Sequence, residues 1–168
     1  MTGSSQEPPG STRLEPASLS DPVVFLVTGF GSGFLRPAPG TWGSLVALGL
    51  WWWLLAGLAW PWQLLVIAFV FALGTGLCAL TARRHGVHDD GAIVIDEFVG
   101  LWLALLAAPA TLPVALAGFL LFRAFDIVKP WPVSWADRRP GALGVMLDDL
   151  LAGVLAAAVL YGARWLVG

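Results

Sequence analysis

One long uncharged stretch constrains this sequence more than any other feature. Between Pro37 and Ala82 the chain has no Asp, Glu, Lys, Arg or His. A helix needs roughly 20 apolar residues to cross a bilayer, so the stretch is long enough for two crossings. Pro61 divides it and predicts one helix over 42–60 and a second over 62–80. A buried helical hairpin in a soluble protein is the alternative explanation.

The composition of the whole chain also favours a membrane protein. Charged residues make up 12% of the sequence, whereas soluble domains contain about 25%. Three further apolar segments lie at about 96–108, 113–128 and 147–167, so we expect an all-α membrane bundle of about five helices. The tryptophans near the turn at Pro61 suit a membrane–water interface.

The first 21 residues differ from the rest of the chain. They are rich in Ser, Pro, Gly and Glu and lack hydrophobic periodicity, which predicts a disordered tail over 1–21. They also lack the basic start and apolar run of a signal peptide. We therefore expect a single helical domain over 22–168.

The distribution of charge predicts a polar end of the bundle. If successive helices alternate in direction, every acidic residue after the tail and every basic residue except Arg164 lies at one end. The positive-inside rule makes that end cytoplasmic. The net charge of −2 argues against a nucleic-acid partner, because such binding needs a basic surface. The single cysteine, Cys78, excludes an internal disulfide and a cysteine-based zinc site.

Two pairs of acidic residues introduce apolar segments at the polar end. Asp96 and Glu97 form the first pair, and Asp148 and Asp149 form the second. Carboxylates at membrane depth are costly unless they are paired or bind a metal, and neighbouring like charges repel. Hard oxygen ligands suit Mg²⁺. We therefore expect the two pairs to meet around one or two Mg²⁺ ions.

Glycines suggest how the two acid pairs approach each other. Gly100 follows Asp96 by four residues, and Gly153 follows Asp149 by four. A glycine one turn inside each helix permits close helix–helix contact. The spacing therefore predicts that these two helices pack with their backbones close together.

A third polar cluster combines both signs of charge. Arg123, Asp126 and Lys129 are spaced three residues apart, which places them on one broad helix face. One interpretation is an internal ion-pair ladder. The other makes Asp126 a metal ligand, with Arg123 and Lys129 contacting phosphate oxygens. Arg138 and its neighbour Arg139 follow this helix, and lipid contact is the simpler explanation for both.

Two loops carry further candidate residues. Gly29, Gly31 and Gly33 can bring backbone amides close to a phosphate, although the loop lacks the Gly-Lys-Thr/Ser ending of nucleotide-binding loops. Helix packing is the alternative, because Gly29 and Gly33 have GxxxG spacing. His88 and Asp89 lie in a second loop, where a solvated side chain is the alternative to a functional one.

Four motifs, taken in order, resemble the phosphatidylglycerophosphatase A family. They are FGSG…PGTWGSL, GVHDDGAIVIDEFVG, FDIVKPWP and MLDDLLAG, and the resemblance covers about residues 24–162. It implies a helical, Mg²⁺-dependent enzyme at the inner face of the bacterial cytoplasmic membrane, which removes the terminal phosphate of phosphatidylglycerophosphate. The sequence departs from the family at 140–144, which lacks the usual double glycine and is about one residue shorter.

The resemblance also carries functional positions over to this chain. The matching polar residues are Thr41, His88, Asp89, Asp96, Glu97, Asp126, Lys129, Asp137, Arg138, Asp148 and Asp149. In this interpretation Mg²⁺ is held by Asp96, Glu97, Asp126, Asp148 and Asp149, and a metal-activated water attacks phosphorus. The phosphate is bound by Lys129, Arg138, Arg123, Thr41 and the amides of Gly29, Gly31 and Gly33. Proton transfer falls to Asp89 or His88.

Two other classes of protein remain as alternatives. A Mg²⁺-dependent phosphatidyltransferase also clusters aspartates in a membrane bundle, but Asp90-Gly91 is not followed by the expected Ala-Arg. A transporter places its acids in mid-helix along a pathway, whereas these lie at helix ends. The expected partners are the lipid substrate and the bilayer, and the sequence gives no sign of an obligate protein partner.

Overall fold

The described part of the chain contains helices and loops and no β-strand. It comprises residues 13–87, 90–106 and 108–167 of a computed structural model. Seven α-helices follow one another: α1 (Pro22–Val27), α2 (Pro39–Leu50), α3 (Trp60–His85), α4 (Ile95–Ala104), α5 (Leu112–Val128), α6 (Val133–Asp137) and α7 (Ala142–Val167). Helix α2 continues into a π-helical turn over Trp51–Leu55. The predicted all-α class is confirmed.

The five predicted helices correspond to α2 with its π-helical turn, α3, α4, α5 and α7. The short helices α1 and α6 were not predicted, because five or six residues are too few to display a helical period. Helix α7 begins at Ala142 rather than at residue 147, directly after Gly141, whose φ is +84°. Asp148 and Asp149 therefore lie in the second turn of α7 and not in front of it.

Residues 13–21, within the predicted tail, make specific contacts with the rest of the chain. Within the predicted tail, residues 16–20 form a 3-10 turn. Leu14 is buried, and its N–H donates to Asp90 Oδ2 at 3.1 Å. Asp21 caps α1 and pairs with the C-terminal end of α3. The contacts of Leu14 with Asp90 and of Asp21 with Arg84 join residues 76 and 63 positions apart, so local composition could not reveal them.

Helix α4 is the central element of the fold. Eight of its ten residues are buried, and it packs against α2, α3, α5 and α7. Trp102 Nε1 donates to the carbonyl oxygen of Ala47 at 2.8 Å, which fastens α4 to α2. The start of α4 is thus held rigidly among its neighbours.

Two glycines bring α4 and α7 into backbone contact. A Cβ on Gly153 would overlap the carbonyl oxygen of Gly100, and a Cβ on Gly100 would lie 2.5 Å from the carbonyl oxygen of Asp149. Any side chain at either position would push the helices apart. The predicted close approach is confirmed.

Two helices are long and apolar enough to cross a membrane. They are α3 and the part of α7 over Ala142–Ala163. Large apolar side chains such as Leu65 and Phe69 point outward from α3. The ten residues of α4 span only about 15 Å, half of the roughly 30 Å of a bilayer core. By length and composition, the described chain therefore offers two candidate crossings.

Candidate active site

Charged residues from several helix ends meet in one cavity of about 800 Å³. Its walls come from the start of α2, the start of α4, the end of α5, and the segment from α6 into α7. The acidic residues in the wall are Asp90, Asp96, Glu97, Asp126, Asp137, Asp148 and Asp149. The basic residues in the wall are Arg36, Arg123, Lys129, Arg138 and Arg139. Most of the charges predicted to share one end of the bundle therefore share this cavity.

Three carboxylates in the wall form an acidic cluster. Asp126, Asp148 and Asp149 each offer an oxygen atom, and these atoms all lie within 4.8 Å of one another. Asp126 lies in the last turn of α5 and the other two in the second turn of α7, and the packing of α5 against α7 brings them together. Asp149 is 3% exposed and Asp148 is 8% exposed. Carboxylates this close and this buried require a counter-charge.

The acidic cluster has the donors that a hard divalent cation needs. Asp148 Oδ2 accepts a hydrogen bond from Lys129 Nζ at 2.8 Å. Asp148 Oδ1 is buried and has no hydrogen-bond partner among the described residues. An unsatisfied buried oxygen is costly, and a bound cation would satisfy it. Because all three donors are carboxylates, the cluster fits Mg²⁺ better than zinc.

The first acid pair is divided between two environments. Asp96 Oδ1 accepts from the backbone N–H of Glu97 at 3.0 Å, and Asp96 lines the cavity. Glu97 accepts from Ser44 Oγ at 2.5 Å and from Arg123 Nη1 at 2.5 Å. The Glu97 carboxylate is therefore occupied by protein donors. Of the five predicted metal ligands, the structure brings Asp126, Asp148 and Asp149 within ligand distance of one another.

Two of the predicted phosphate-binding cations are paired with carboxylates. Arg123 Nη1 lies 2.8 Å from Asp126 Oδ2 in addition to its contact with Glu97. Lys129 donates to Asp137 as well as to Asp148. Burial acts to lower the pKa of Lys129, but these hydrogen bonds outweigh it and the pKa is raised. The arrangement matches the ion-pair interpretation of this cluster.

Other arginines in the wall have no carboxylate partner among the described residues. Arg36 precedes α2, Arg138 follows α6, and both are exposed. The Arg139 guanidinium lies over the Trp135 ring, 4.2 Å from its centroid. The sequence analysis placed Arg36 at the polar end with the other basic residues but did not name it as a phosphate-binding candidate. Arg36 and Arg138 are thus available to an anionic ligand.

The glycine loop does not line the cavity. A Cβ on Gly33 would overlap the backbone carbonyl of Ala92, and a Cβ on Gly29 would lie 2.9 Å from Val94 Cγ2. Gly29 and Gly31 have φ of +55° and +87°, which the turn requires. The loop therefore packs against the chain that leads into α4. The packing alternative describes these glycines, and they present no amides to the cavity wall.

Two small residues of α2 support the site and were missed by the sequence analysis. Ser44 donates to Glu97, and a Cβ on Gly40 would overlap Glu97 Oε1 and lie 3.0 Å from Arg123 Nη1. Their spacing of four residues on one helix face was the available signal. Thr41, predicted to bind phosphate, lies on the same helix but does not line the cavity.

The predicted proton carriers, His88 and Asp89, lie outside the described residues. Asp90, which follows them, lines the cavity. Its carboxylate accepts from the N–H groups of Ala92 at 2.8 Å and Leu14 at 3.1 Å. Asp90 thus ties the start of the described chain to the cavity wall.

Comparison with known proteins identifies the family. Residues 25–164 match the family described as Phosphatidylglycerophosphatase A. The chain belongs to this family. It is 44% identical over 154 residues to the phosphatidylglycerophosphatase A of Escherichia coli, with 89% of each chain covered. It is also 44% identical over 154 residues to that of Haemophilus influenzae, with 90% of this chain and 94% of the relative covered.

A third relative has a different name. It is a Bacteroides thetaiotaomicron protein named as a candidate phosphatidylinositol-3-phosphatase, 42% identical over 154 residues, with 86% of this chain and 95% of the relative covered. No solved structure matches the chain. The resemblance inferred from the motifs is confirmed. The bacterial relatives and the two candidate crossings together indicate a membrane protein.

Proposed function

We propose that this chain hydrolyses the terminal phosphomonoester of phosphatidylglycerophosphate, giving phosphatidylglycerol and inorganic phosphate. The observation that carries the proposal is the cluster of the half-buried Asp126 with the buried Asp148 and Asp149 at a charged cavity, in a member of a family named for this reaction. A volume of about 800 Å³ is within the range of small-molecule sites and admits a polar headgroup.

The metal in this proposal is Mg²⁺, held by Asp126, Asp148 and Asp149. Two observations support it: the donors are all carboxylates, and Asp148 Oδ1 has no partner among the described residues. When bound, Mg²⁺ supplies positive charge to the phosphoryl oxygens and lowers the pKa of a water nucleophile. Lys129 holds the second oxygen of Asp148 and so fixes the direction of the first.

The remaining cavity residues bind the substrate and move protons. Arg138 has no acidic partner among the described residues and can donate two parallel hydrogen bonds to phosphate oxygens. Lys129 places a positive charge beside the reacting phosphate. Water adds its oxygen to phosphorus, the bond from phosphorus to the glycerol oxygen breaks, and that oxygen takes up a proton. His88 and Asp89 are the proposed proton carriers, and Asp96 lies in the wall to assist.

We further propose a multi-pass protein of the bacterial cytoplasmic membrane, with its cavity facing the cytoplasm. Helices α3 and α7 are the candidate crossings. The connections at 56–59 and 105–111 are uncharged, whereas the cavity end carries most of the basic residues, as the positive-inside rule requires of a cytoplasmic end. The acyl chains of the substrate would stay in lipid while its headgroup enters the cavity.

The test is phosphate release from phosphatidylglycerophosphate in detergent micelles. We expect release that stops with EDTA and returns with Mg²⁺. We expect slower release from phosphatidic acid and from phosphatidylinositol 3-phosphate. Preference for either of these lipids would overturn the substrate assignment.

Two substitutions test the metal assignment in the same assay. Asp149→Asn is expected to abolish release, because it removes a charge from the acidic cluster. Asp21→Asn lies outside the cavity wall and is expected to keep wild-type activity. Undiminished turnover by Asp149→Asn would overturn the metal assignment.

A further inference from the structure

Arg123 is the most enclosed cation of the cavity. Its side chain is 14% exposed, and its Nη1 lies 2.5 Å from Glu97 Oε2 and 2.8 Å from Asp126 Oδ2. Both carboxylates contact the same guanidinium nitrogen, so the position of Nη1 holds the two acids relative to each other. One of these carboxylates belongs to the acidic cluster and the other does not.

Glu97 is itself anchored from a third helix. Ser44 Oγ on α2 donates to Glu97 Oε2 at 2.5 Å. Gly40, one turn earlier, leaves room for the carboxylate, because a Cβ there would overlap Glu97 Oε1. A continuous series of contacts therefore runs from α2 through Glu97 and Arg123 to Asp126. The series ends at Asp126 Oδ2, and Asp126 belongs to the acidic cluster.

Arg36 and Arg138 stand in a different situation. Both are exposed and line the same cavity, and neither has a carboxylate partner among the described residues. A phosphate that bound Arg123 Nη1 would have to displace Glu97 or Asp126 and leave a buried carboxylate unpaired. A phosphate that bound Arg36 or Arg138 would displace only water.

We propose that the arginines of the cavity have two different roles. Arg123 is a positioning residue that orients Asp126 from its anchor on Glu97, and it contacts no substrate. Arg36, together with Arg138, binds substrate phosphate. The two arginines precede α2 and follow α6 respectively, and their number matches the two phosphates of phosphatidylglycerophosphate, one diester and one monoester. The assignment of Arg36 and Arg138 to substrate binding rests on the function proposed above.

Substitution of Arg123 by Lys tests the positioning role. Arg123→Lys keeps the charge but loses the rigid guanidinium that places Nη1 between the two carboxylates, so its effect reports geometry rather than net charge. We expect Mn²⁺ affinity, measured by electron paramagnetic resonance without substrate, to fall about tenfold, as when support for a metal ligand is lost. We expect kcat to fall and KM to stay within about twofold of wild type.

Substitution of Arg36 tests the substrate role. Arg36→Gln removes a charged hydrogen bond to phosphate, so KM is expected to rise about tenfold while Mn²⁺ affinity stays unchanged. Arg138→Gln is expected to act in the same direction. Arg84→Lys is the matched control, because Arg84 also pairs with an acid but lies outside the cavity wall. It should change neither quantity.

A milder variant covers the case in which Arg123→Lys does not fold. Ser44→Ala loosens Glu97 without touching Arg123, and it is expected to weaken Mn²⁺ binding in the same direction by a smaller factor. Unchanged Mn²⁺ affinity in Arg123→Lys with a raised KM would overturn the positioning role. Wild-type KM in both Arg36→Gln and Arg138→Gln would overturn the substrate role. Mn²⁺ binding by a wild type that does not hydrolyse phosphatidylglycerophosphate would contradict only the proposed function.

Discussion

Gly153 of α7 lies directly against the backbone carbonyl of Gly100 on α4. A Cβ atom on Gly153 would overlap that carbonyl oxygen. Asp149 stands one helical turn before Gly153, and its own carbonyl oxygen faces Gly100. The contact between the two glycines therefore sets how close the acidic cluster comes to the start of α4.

Gly153→Leu is expected to remove activity while the protein still inserts in membranes. A leucine side chain must push α7 away from α4, and such overpacking costs about 1–3 kcal/mol or more. Phosphate release by membranes containing equal amounts of each variant measures the effect. Gly162→Ala is the matched control on the same helix, because nothing lies within 4 Å of its Cβ position. Wild-type activity in Gly153→Leu would show that the helix spacing does not govern the site.

Gly40→Ala is expected to lower kcat at least tenfold. Alanine favours a helix over glycine by about 1 kcal/mol, so any loss must come from the overlap of the new Cβ with the Glu97 carboxylate. Gly49→Ala serves as the control, because it lies on the same helix α2 in open space. Equal kcat values for the two variants would contradict the prediction.

Lys129 is expected to contribute the same stability across the neutral and moderately alkaline range. Its raised pKa means that its contribution is complete below the ordinary lysine value and is lost only as pH rises through the higher folded value. The difference in thermal midpoint between wild type and Lys129→Gln should therefore stay constant from about pH 7 to about pH 10. A difference that shrinks inside this range would mean that Lys129 loses its proton earlier.

Asp21 is expected to stabilise the protein at neutral pH and to lose this effect in acid. The backbone hydrogen bond from Val23, together with His85 and Arg84, holds the pKa of Asp21 below its usual value. A depressed carboxyl pKa gives stability that is present above the unfolded pKa of about 3.9 and is lost as pH falls through the folded value.

Asp21→Asn tests this prediction, because asparagine can still cap α1. The thermal midpoint of Asp21→Asn should lie below that of wild type near pH 7, and the gap should narrow as pH falls below about 3.9. A gap of constant size across this range would assign the effect to lost packing rather than to charge.

The sequence identified the long helices and the contact between α4 and α7, because apolar runs and glycine spacing are local signals. It could not show which acids would meet. Asp126 and Glu97 look alike as isolated carboxylates, yet Asp126 joins the acidic cluster while Glu97 turns toward Ser44 and Arg123. That difference depends on the orientation of α2, α4 and α5 about their helix axes, which cannot be read from the sequence.

The loop glycines are a second case in which the sequence alone could not distinguish two structures. Gly29 and Gly33 have spacing that suits both a phosphate cradle and close packing. The choice depends on whether Ala92 and Val94 lie against them, which they do. The local motif was compatible with both alternatives, and only contacts with a distant part of the chain distinguish them.

The cavity wall takes residues from Arg36 through to Asp149, contributed by five separate helical segments. Helices α5 and α7 hold the acidic cluster, whereas Arg36 and Glu97 reach the cavity from earlier parts of the chain. Turnover therefore depends on the correct assembly of all five segments. A detergent that allows α7 to move away from α4 by the width of one methyl group should abolish phosphate release before spectroscopy detects any loss of helical content.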